Sequence, residues 1–262
     1  MHNALYVLAD WKAGLADYKF WWRFGLLDVK LRYRRTLLGP FWLTLSFGVS
    51  VMALTLVYSM LFKVTAGTYF TYLIVGLAVW GLISTLLIDG CQTFVKHSQL
   101  ILQQPLPILV HALRSVVSSF LVFAHNLVIV IIALAVSGVG VSWRTALAIP
   151  AIAVILVNGV WVALLLGLIC ARFRDLPQLV ALLVNLAFLV TPVFWYKHML
   201  ADRAYFVDLN PLYAFLEFVR SPLLGQLPTP TSVWVVMAAT LGGWLLTLLV
   251  ARRLQPRLTY WL

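Results

Sequence analysis

The sequence predicts an all-α integral membrane protein: six transmembrane helices, an N-terminal amphipathic interfacial helix, and short re-entrant helices between spans five and six. Three observations predict it. Of 262 residues, 63% are apolar and 10% charged, against about 45–50% and about 25% in soluble domains. The apolar residues gather into runs near 20 residues, the length that crosses about 30 Å of hydrocarbon at about 1.5 Å per residue. The basic residues are distributed unevenly among the segments that separate those runs.

Residues 1–40 are expected at the cytoplasmic face and the membrane interface. Phe20, Phe24, Leu27, Leu31 and Leu38 recur at spacings of 4, 3, 4 and 7, which is one helical stripe. Trp22, Leu26, Val29, Tyr33 and Leu37 form a second stripe roughly opposite, with charges in the arcs between. A helix over 18–40 that lies in the interface and touches both lipid and its own bundle has this pattern. Trp21, Trp22 and Trp42 suit the headgroup layer. Gly39-Pro40 breaks the helix. No short apolar core with a small-residue cleavage site occurs in 1–40, so the first apolar run is not read as a signal peptide.

Spans are expected over 41–62, 70–89, 115–137, 146–170, 178–196 and 232–251. They make one domain: a bundle of 41–251 with a cytoplasmic tail of 252–262. Gly48, Gly76, Gly159 and Gly167 inside the spans let neighbouring backbones approach. With both termini cytoplasmic, only Lys63, Arg144, Lys197, Arg203 and Arg220 of the 19 Lys/Arg fall outside. That asymmetry sets orientation and requires an even number of spans. It also accounts for the net charge of +11 without nucleic acid, since no soluble basic domain is present to hold any. Cys91 and Cys170 fall at cytoplasmic span ends, where thiols stay reduced, and no disulfide is expected. Neither has a second Cys or a His at metal-ligand spacing.

The connecting segments carry more information. Residues 90–113 exceed the roughly 2–8 residues that a helix-to-helix link needs. A short amphipathic stretch there precedes Pro105 and Pro107, and suggests a docking element for a cytoplasmic partner at Ser98, Gln99, Leu100, Gln103 and Gln104. In 171–180, Arg172, Arg174 and Asp175 make a tight charged turn. Pro177 suits the first turn of the next helix and Asp175 its cap. In the outer segment 197–230, Asn210-Pro211 leads into a helix marked by Leu212, Phe215, Leu216 and Val219, and Ser221-Pro222 ends it. Two short helices dipping back into the outer leaflet explain this segment, since re-entrant stretches run to about 10–14 apolar residues.

Several kinds of chemistry are missing. No GxxxxGK[ST] loop occurs, and Gly-Lys occurs nowhere. No HExxH or paired-Cys motif occurs. The 8 Asp/Glu are scattered, whereas membrane enzymes acting on lipid phosphates need clustered carboxylates for a metal, or a His base with a partner. His125 lies within span three beside Asn126. An intramembrane His is a functional candidate by default, but a His–Asn pair bonded to a neighbouring helix accounts for it. Mid-span carboxylates, which mark ion-coupled transporters, are absent, with Asp89 at a span's end. No catalytic or metal-binding residue is expected. A six-span chain without its own coupling-ion or nucleotide site needs an external motor.

Four segments carry a family resemblance: LRYRRTLLGPFW (31–42), the loop 91–112, ARFRDL (171–176), and TPVFW (191–195) followed by LNPLYAFLEFVRSPLLG (209–225). Their order and topological positions resemble those of the membrane subunits of ABC-2-type exporters, most closely the permeases that export O-antigen and capsular polysaccharides. The resemblance covers essentially the whole chain. It implies a homodimer with the channel between the copies, and two ATP-binding cassette subunits docked below at the loop 91–112. ATP and Mg would sit on those subunits, with no cofactor in this chain. The cargo would be a polysaccharide on an undecaprenyl diphosphate or other lipid anchor, moved across the bacterial inner membrane. Asn210, Pro211, Tyr213, Phe215, Glu217 and Arg220 fall where the family has periplasmic gate helices. Tyr58, Phe62, Tyr72, Phe188, Phe194 and Trp195, near the outer span ends, are expected to form an aromatic collar on which sugar CH faces slide. Arg23, Arg32, Arg34 and Arg35 are expected to meet the anchor's diphosphate. Exporters of teichoic acid, lipid or drugs share this architecture. The alternative from another class is a membrane-embedded glycosyl- or phosphotransferase, which would need a carboxylate cluster.

Overall fold

A computed structural model describes residues 2–32, 34, 39, 41–104, 106–138 and 142–262, and every regular element among them is helical. Two helices precede the bundle, α1 (His2–Ala16) and α2 (Tyr18–Arg32). Among the described residues, five helices have the length and apolarity to cross a membrane: α3 (Phe41–Leu61), α4 (Ala66–Gln92), α6 (Ile108–Val136), α8 (Ala148–Arg172) and α12 (Pro230–Leu254). The expected fifth span is the apolar helix α9 (Leu176–Val190), which has only 15 residues, against the roughly 20 of a full crossing. Between these lie α5 (Ser98–Gln103), α7 (Trp143–Ala146), α10 (Tyr205–Asp208), α11 (Pro211–Leu223) and two 3₁₀ segments, Lys197–Arg203 and Gln255–Tyr260.

Several boundaries differ from the sequence reading. Span three begins at Ile108, seven residues before the expected start, so Arg114 sits inside the helix. The interfacial helix expected over 18–40 ends at Arg32. Tyr33, Leu37, Leu38 and Pro40 of the two stripes and the break lie outside the described residues. Pro222 falls inside the last turn of α11 rather than ending it. Asp175 holds the N-cap position of α9, but its side chain makes no cap bond.

Both termini lie at one end of the bundle. Asp10 on α1 accepts from Gln255 Nε2 at 3.1 Å and from the Ile108 backbone N–H at 3.2 Å. Arg174, in the turn between α8 and α9, donates to the Trp261 carbonyl at 2.6 Å. The N-terminal helices, the start of α6, the turn before α9 and the C-terminal segment therefore share this terminal end. The other end carries the start of α4, residues 191–196 and α11.

Helix α4 is the centre of the bundle. It packs against α3, α6, α8, α9 and α11, and its buried residues run from Tyr69 to Cys91. It meets α8 closely: a Cβ at Gly90 would stand 3.3 Å from Ala163 Cα. Cys91 and Cys170 are free thiols that face each other across this contact, although 79 residues separate them in the chain. By contrast α3 and α9 lie at the edge. Leu45, Val49, Met52, Leu56 and Met60 of α3 are exposed, as are Leu179, Leu182, Leu186 and Leu189 of α9.

Candidate functional site

Two polar clusters are built into the bundle, one at each end. The first, at the terminal end, joins α2, α6 and the residues leading into α5. Asp28 on α2 receives two bonds from Arg114 on α6, from Nε to Oδ2 and from Nη2 to Oδ1, both 2.6 Å. Such a bidentate pair fixes geometry as well as charge. His97 approaches the same carboxylate, its Nε2 3.6 Å from Oδ2. All three side chains are less than a tenth exposed. Burial pushes the Asp28 carboxyl upward, but the nearby His97 ring and the bonds and charge of Arg114 outweigh it and hold the group well below the usual carboxylate range.

The packed face of α2 coincides with neither stripe read from the sequence and takes only Val29 from the second. Phe20, Leu27 and Leu31 of one stripe and Trp22 of the other are exposed. The face that seats on α6 runs through Gly25, Asp28 and Val29. A Cβ at Gly25 would stand 2.6 Å from Val117 Cγ1, so only glycine allows this approach. Apolar periodicity passes over a glycine and an aspartate, and the hydrophobic count alone gave no signal for this face.

Of the residues expected to meet an anchor phosphate, Arg23 is exposed on α2 and Arg34 is exposed in a turn. Arg32 lies 3.5 Å from Asp89 at the end of α4, and Arg35 falls outside the described residues. The expected docking residues Ser98, Gln99, Leu100 and Gln103 form α5, and Gln104 is its C-cap. Gln99, Gln103 and Gln104 are exposed while Ser98 and Leu100 are half-buried. Leu102, not singled out in the sequence, stands 56% exposed on the same six-residue helix.

The second cluster, at the far end, is organised around residues 191–196, where the chain leaves α9 without regular structure. Irregular backbone among apolar helices must have its polar groups met by protein, and here they are. Tyr72 Oη donates to the carbonyls of Pro192 at 3.1 Å and Trp195 at 2.9 Å. Tyr69 Oη donates to the Phe194 carbonyl at 2.5 Å. Arg220 Nη1, reaching in from α11, donates to Pro192 at 2.7 Å, and its guanidinium lies 4.4 Å from the centre of the Tyr72 ring. Gly76 makes room for the segment, since a Cβ there would stand 2.7 Å from the Val193 carbonyl.

Aromatic rings surround this segment. Tyr58 lies 5.5 Å from Phe62 and 5.3 Å from Phe194, and Phe194 lies 5.3 Å from Phe188. Tyr72 joins through Tyr196 at 4.4 Å. The structure therefore brings five of the six expected collar residues into one cluster. Trp195 donates its indole N–H to Leu189 at 3.2 Å instead of joining the ring contacts. Tyr69, Trp80 and Tyr196 belong to the cluster and were not anticipated. Their signal was available: Tyr69 and Tyr72 are one turn apart, and two hydroxyls on one face of an apolar helix need acceptors.

Three of the six expected gate residues, Tyr213, Glu217 and Arg220, are buried. Asn210 caps α11 by accepting from Leu212 N–H at 3.0 Å, and its amide donates to Thr191 Oγ1 at 2.8 Å. Pro211 occupies the first helical position, as its fixed φ favours. Tyr213 is buried, with the Lys197 ammonium 5.8 Å from its ring centre, and Phe215 is half-buried. Glu217 is buried and accepts from Thr229 N–H at 3.3 Å, Thr229 Oγ1 at 2.9 Å and the Ser232 hydroxyl, so it caps the start of α12. His125 Nδ1 lies 2.6 Å from the Leu121 carbonyl of its own helix, not of a neighbouring one as expected.

These features define a polytopic α-helical membrane protein with a short helix exposed at its terminal end and a braced aromatic cluster at the other. No protein-family model matches the chain. It is similar to O-antigen export permeases. It is 26% and 25% identical to two proteins of Klebsiella pneumoniae, each called O-antigen export system permease protein RfbA, over 72% of this chain and 74% of each relative. It is 23% identical to the Myxococcus xanthus protein of the same name, again over 72% of this chain and 74% of the relative. The resemblance drawn from the four segments is borne out by these relatives.

Proposed function

We propose that the chain is the membrane-spanning permease subunit of an ATP-driven exporter that moves a lipid-linked polysaccharide of O-antigen or capsular type across the bacterial inner membrane. The observation that carries this is the relationship to three O-antigen export permeases over nearly three quarters of the chain. In this reading the terminal end is cytoplasmic and α9 with residues 191–196 makes the sixth crossing. Both termini sharing one end supports an even number of crossings. Two copies form the channel between them, and the outward leucines of α3 and α9 suit a face that a second copy covers.

The docking element is α5, with Leu102 beside Gln99, Gln103 and Gln104 as its exposed face toward an ATP-binding cassette subunit. That subunit binds ATP and Mg. The aromatic cluster Tyr58, Phe62, Tyr72, Phe188, Phe194 with Trp195 is the sliding surface for sugar, and α11 with Arg220 forms the gate that flanks it. Arg23 and Arg34, exposed on the cytoplasmic side, meet the phosphates of the anchor. Purification in mild detergent from the native host, with mass spectrometry of everything retained, tests the whole reading. A nucleotide-binding subunit at equal stoichiometry together with lipid-linked glycan is the expected result. A lone chain that turns over a sugar nucleotide or polyprenyl phosphate would overturn it.

A further inference from the structure

We propose that His97 is a positioning residue for the docking helix, and that it acts as a doubly protonated imidazolium bridging the Thr93 carbonyl and the Asp28 carboxylate. The proposal relies on the exporter reading only for what α5 docks against. His97 holds the N-cap position of α5, immediately before Ser98. Its Nδ1 lies 2.9 Å from the Thr93 carbonyl. A carbonyl only accepts, so Nδ1 carries a proton. Its Nε2 faces Asp28 Oδ2 at 3.6 Å, is buried, and has no other partner among the described residues. In the neutral ring Nε2 would present a lone pair to a carboxylate. A second proton turns that repulsion into an ion pair, and only the doubly protonated ring meets both acceptors.

The charged and titratable groups around the ring come from three elements. Asp28 belongs to α2, and Arg114 and His111 to α6, the His111 ring 6.2 Å away. Lys96 is the preceding residue, and Asp89 at the end of α4 is engaged by Arg32. Arg114 holds both Asp28 oxygens at 2.6 Å, so the 3.6 Å approach of His97 is the loose member of a tight group. A cavity of about 20 Å³ lies against the ring, lined by Asp28, Thr93, His97 and Ser118 among others. That is room for about one water.

The consequence is mechanical. Residues 93–97 connect α4 to α5, and His97 ties their last residue to Asp28, hence to α2, and through Arg114 to α6. With the proton present, α5 is held to three elements. Without it, α5 keeps its backbone connection and the packing of Ile101 against the core, but loses its tie to α2. The seating of α5 therefore follows the second proton on His97, firm when it is bound and released when it is lost.

Hydrogen–deuterium exchange of the purified full chain in detergent, from about pH 5 to pH 8 and corrected for intrinsic rates, tests this on peptides covering 93–104. Protection of that stretch should fall roughly threefold or more as pH rises in the wild type, while the rest of the chain stays constant. His97→Arg, permanently charged, should stay protected throughout, and His97→Gln should be weakly protected throughout. A wild-type profile that matches His97→Gln at every pH would overturn the assignment and leave a neutral ring served by a water in the cavity. This arm uses no partner. A second arm measures retention of the co-expressed nucleotide-binding subunit, which His97→Arg should hold better than wild type near pH 8. If no variant retains that subunit while exchange behaves as expected, the exporter reading fails and the His97 assignment stands.

Discussion

Replacing Gly25 by alanine tests how α2 is seated. The added Cβ would stand 2.6 Å from Val117 Cγ1, 2.8 Å from Val117 Cβ and 3.2 Å from the Arg114 carbonyl. Carbon atoms rest about 3.5–4.0 Å apart, so α2 must lift from α6 by roughly 1 Å. Forcing one methyl into a packed contact costs about 1–3 kcal/mol. Asp28 lies one turn further along the same face with both Arg114 bonds at 2.6 Å. Lifting the helix stretches them out of range, and hydrogen bonds to charged groups are worth about 1.5–3 kcal/mol. Alanine returns about 1 kcal/mol through better helix propensity. The balance is a destabilisation of about 2–5 kcal/mol.

Thermal unfolding of the purified chain in detergent, followed by tryptophan fluorescence, reads this out. At about 2–4 °C per kcal/mol for a chain near this length, the midpoint should fall by roughly 4 °C or more. Gly81→Ala is the control, because a Cβ there meets nothing within 4 Å. It should be neutral or stabilising. Val117→Ala removes the nearest carbon, so the double variant with Gly25→Ala should lose less than the sum of the two singles. A Gly25→Ala chain that melts with Gly81→Ala, at or above wild type, would refute a seat that depends on glycine.

Three further outcomes are expected. The depressed Asp28 carboxyl contributes stability that is complete above the ordinary value of 3.8 and is lost as pH falls below it; an acid titration of the wild type should show a loss of α2 protection that Asp28→Asn, already weakened, lacks. Glu217→Ala strands the Thr229 N–H and the Thr229 and Ser232 hydroxyls, and should cost about 1–3 kcal/mol, read as faster hydrogen exchange over 226–234. Leu102→Glu places a charge on the exposed face of α5 without touching the core, so the thermal midpoint should hold while retention of a nucleotide-binding subunit drops; unchanged retention would remove α5 from the docking role.

The membrane class and most spans were legible because lipid imposes a length and a composition that no other constraint overrides. The N-terminal helix was legible as a helix but not in its orientation. Its packed face is set by what fits against α6, and a glycine with a paired aspartate fits where leucines do not. Arg114 was read as a boundary because a charge ends an apolar run. In the fold it lies buried inside α6, neutralised by a partner 86 residues away that no local pattern reveals. Likewise Arg220 counted toward topology, whereas its guanidinium braces residues 191–196 against the Tyr72 ring. The collar aromatics were legible as outer-end residues. Their assembly depended on where the chain leaves α9, and hydropathy placed that exit too late by several residues.

Helix α4 connects the two clusters. At one end it leads through residues 93–97 into α5, beside His97 and Asp28. At the other, its Tyr69 and Tyr72 hold the carbonyls of 191–196. Its 27 residues span about 40 Å at 1.5 Å each. A helix packed on five neighbours moves as a rod more readily than it bends, so displacement of α5 by a partner reaches 191–196 through α4. Under the proposed function this links the site of ATP-driven motion to the aromatic surface and the gate through one element. It also predicts that a disulfide between Cys91 and Cys170, which would fix α4 to α8, blocks export while leaving the nucleotide-binding subunit bound. Oxidation that forms this bond and leaves export unchanged would show that the stroke passes elsewhere.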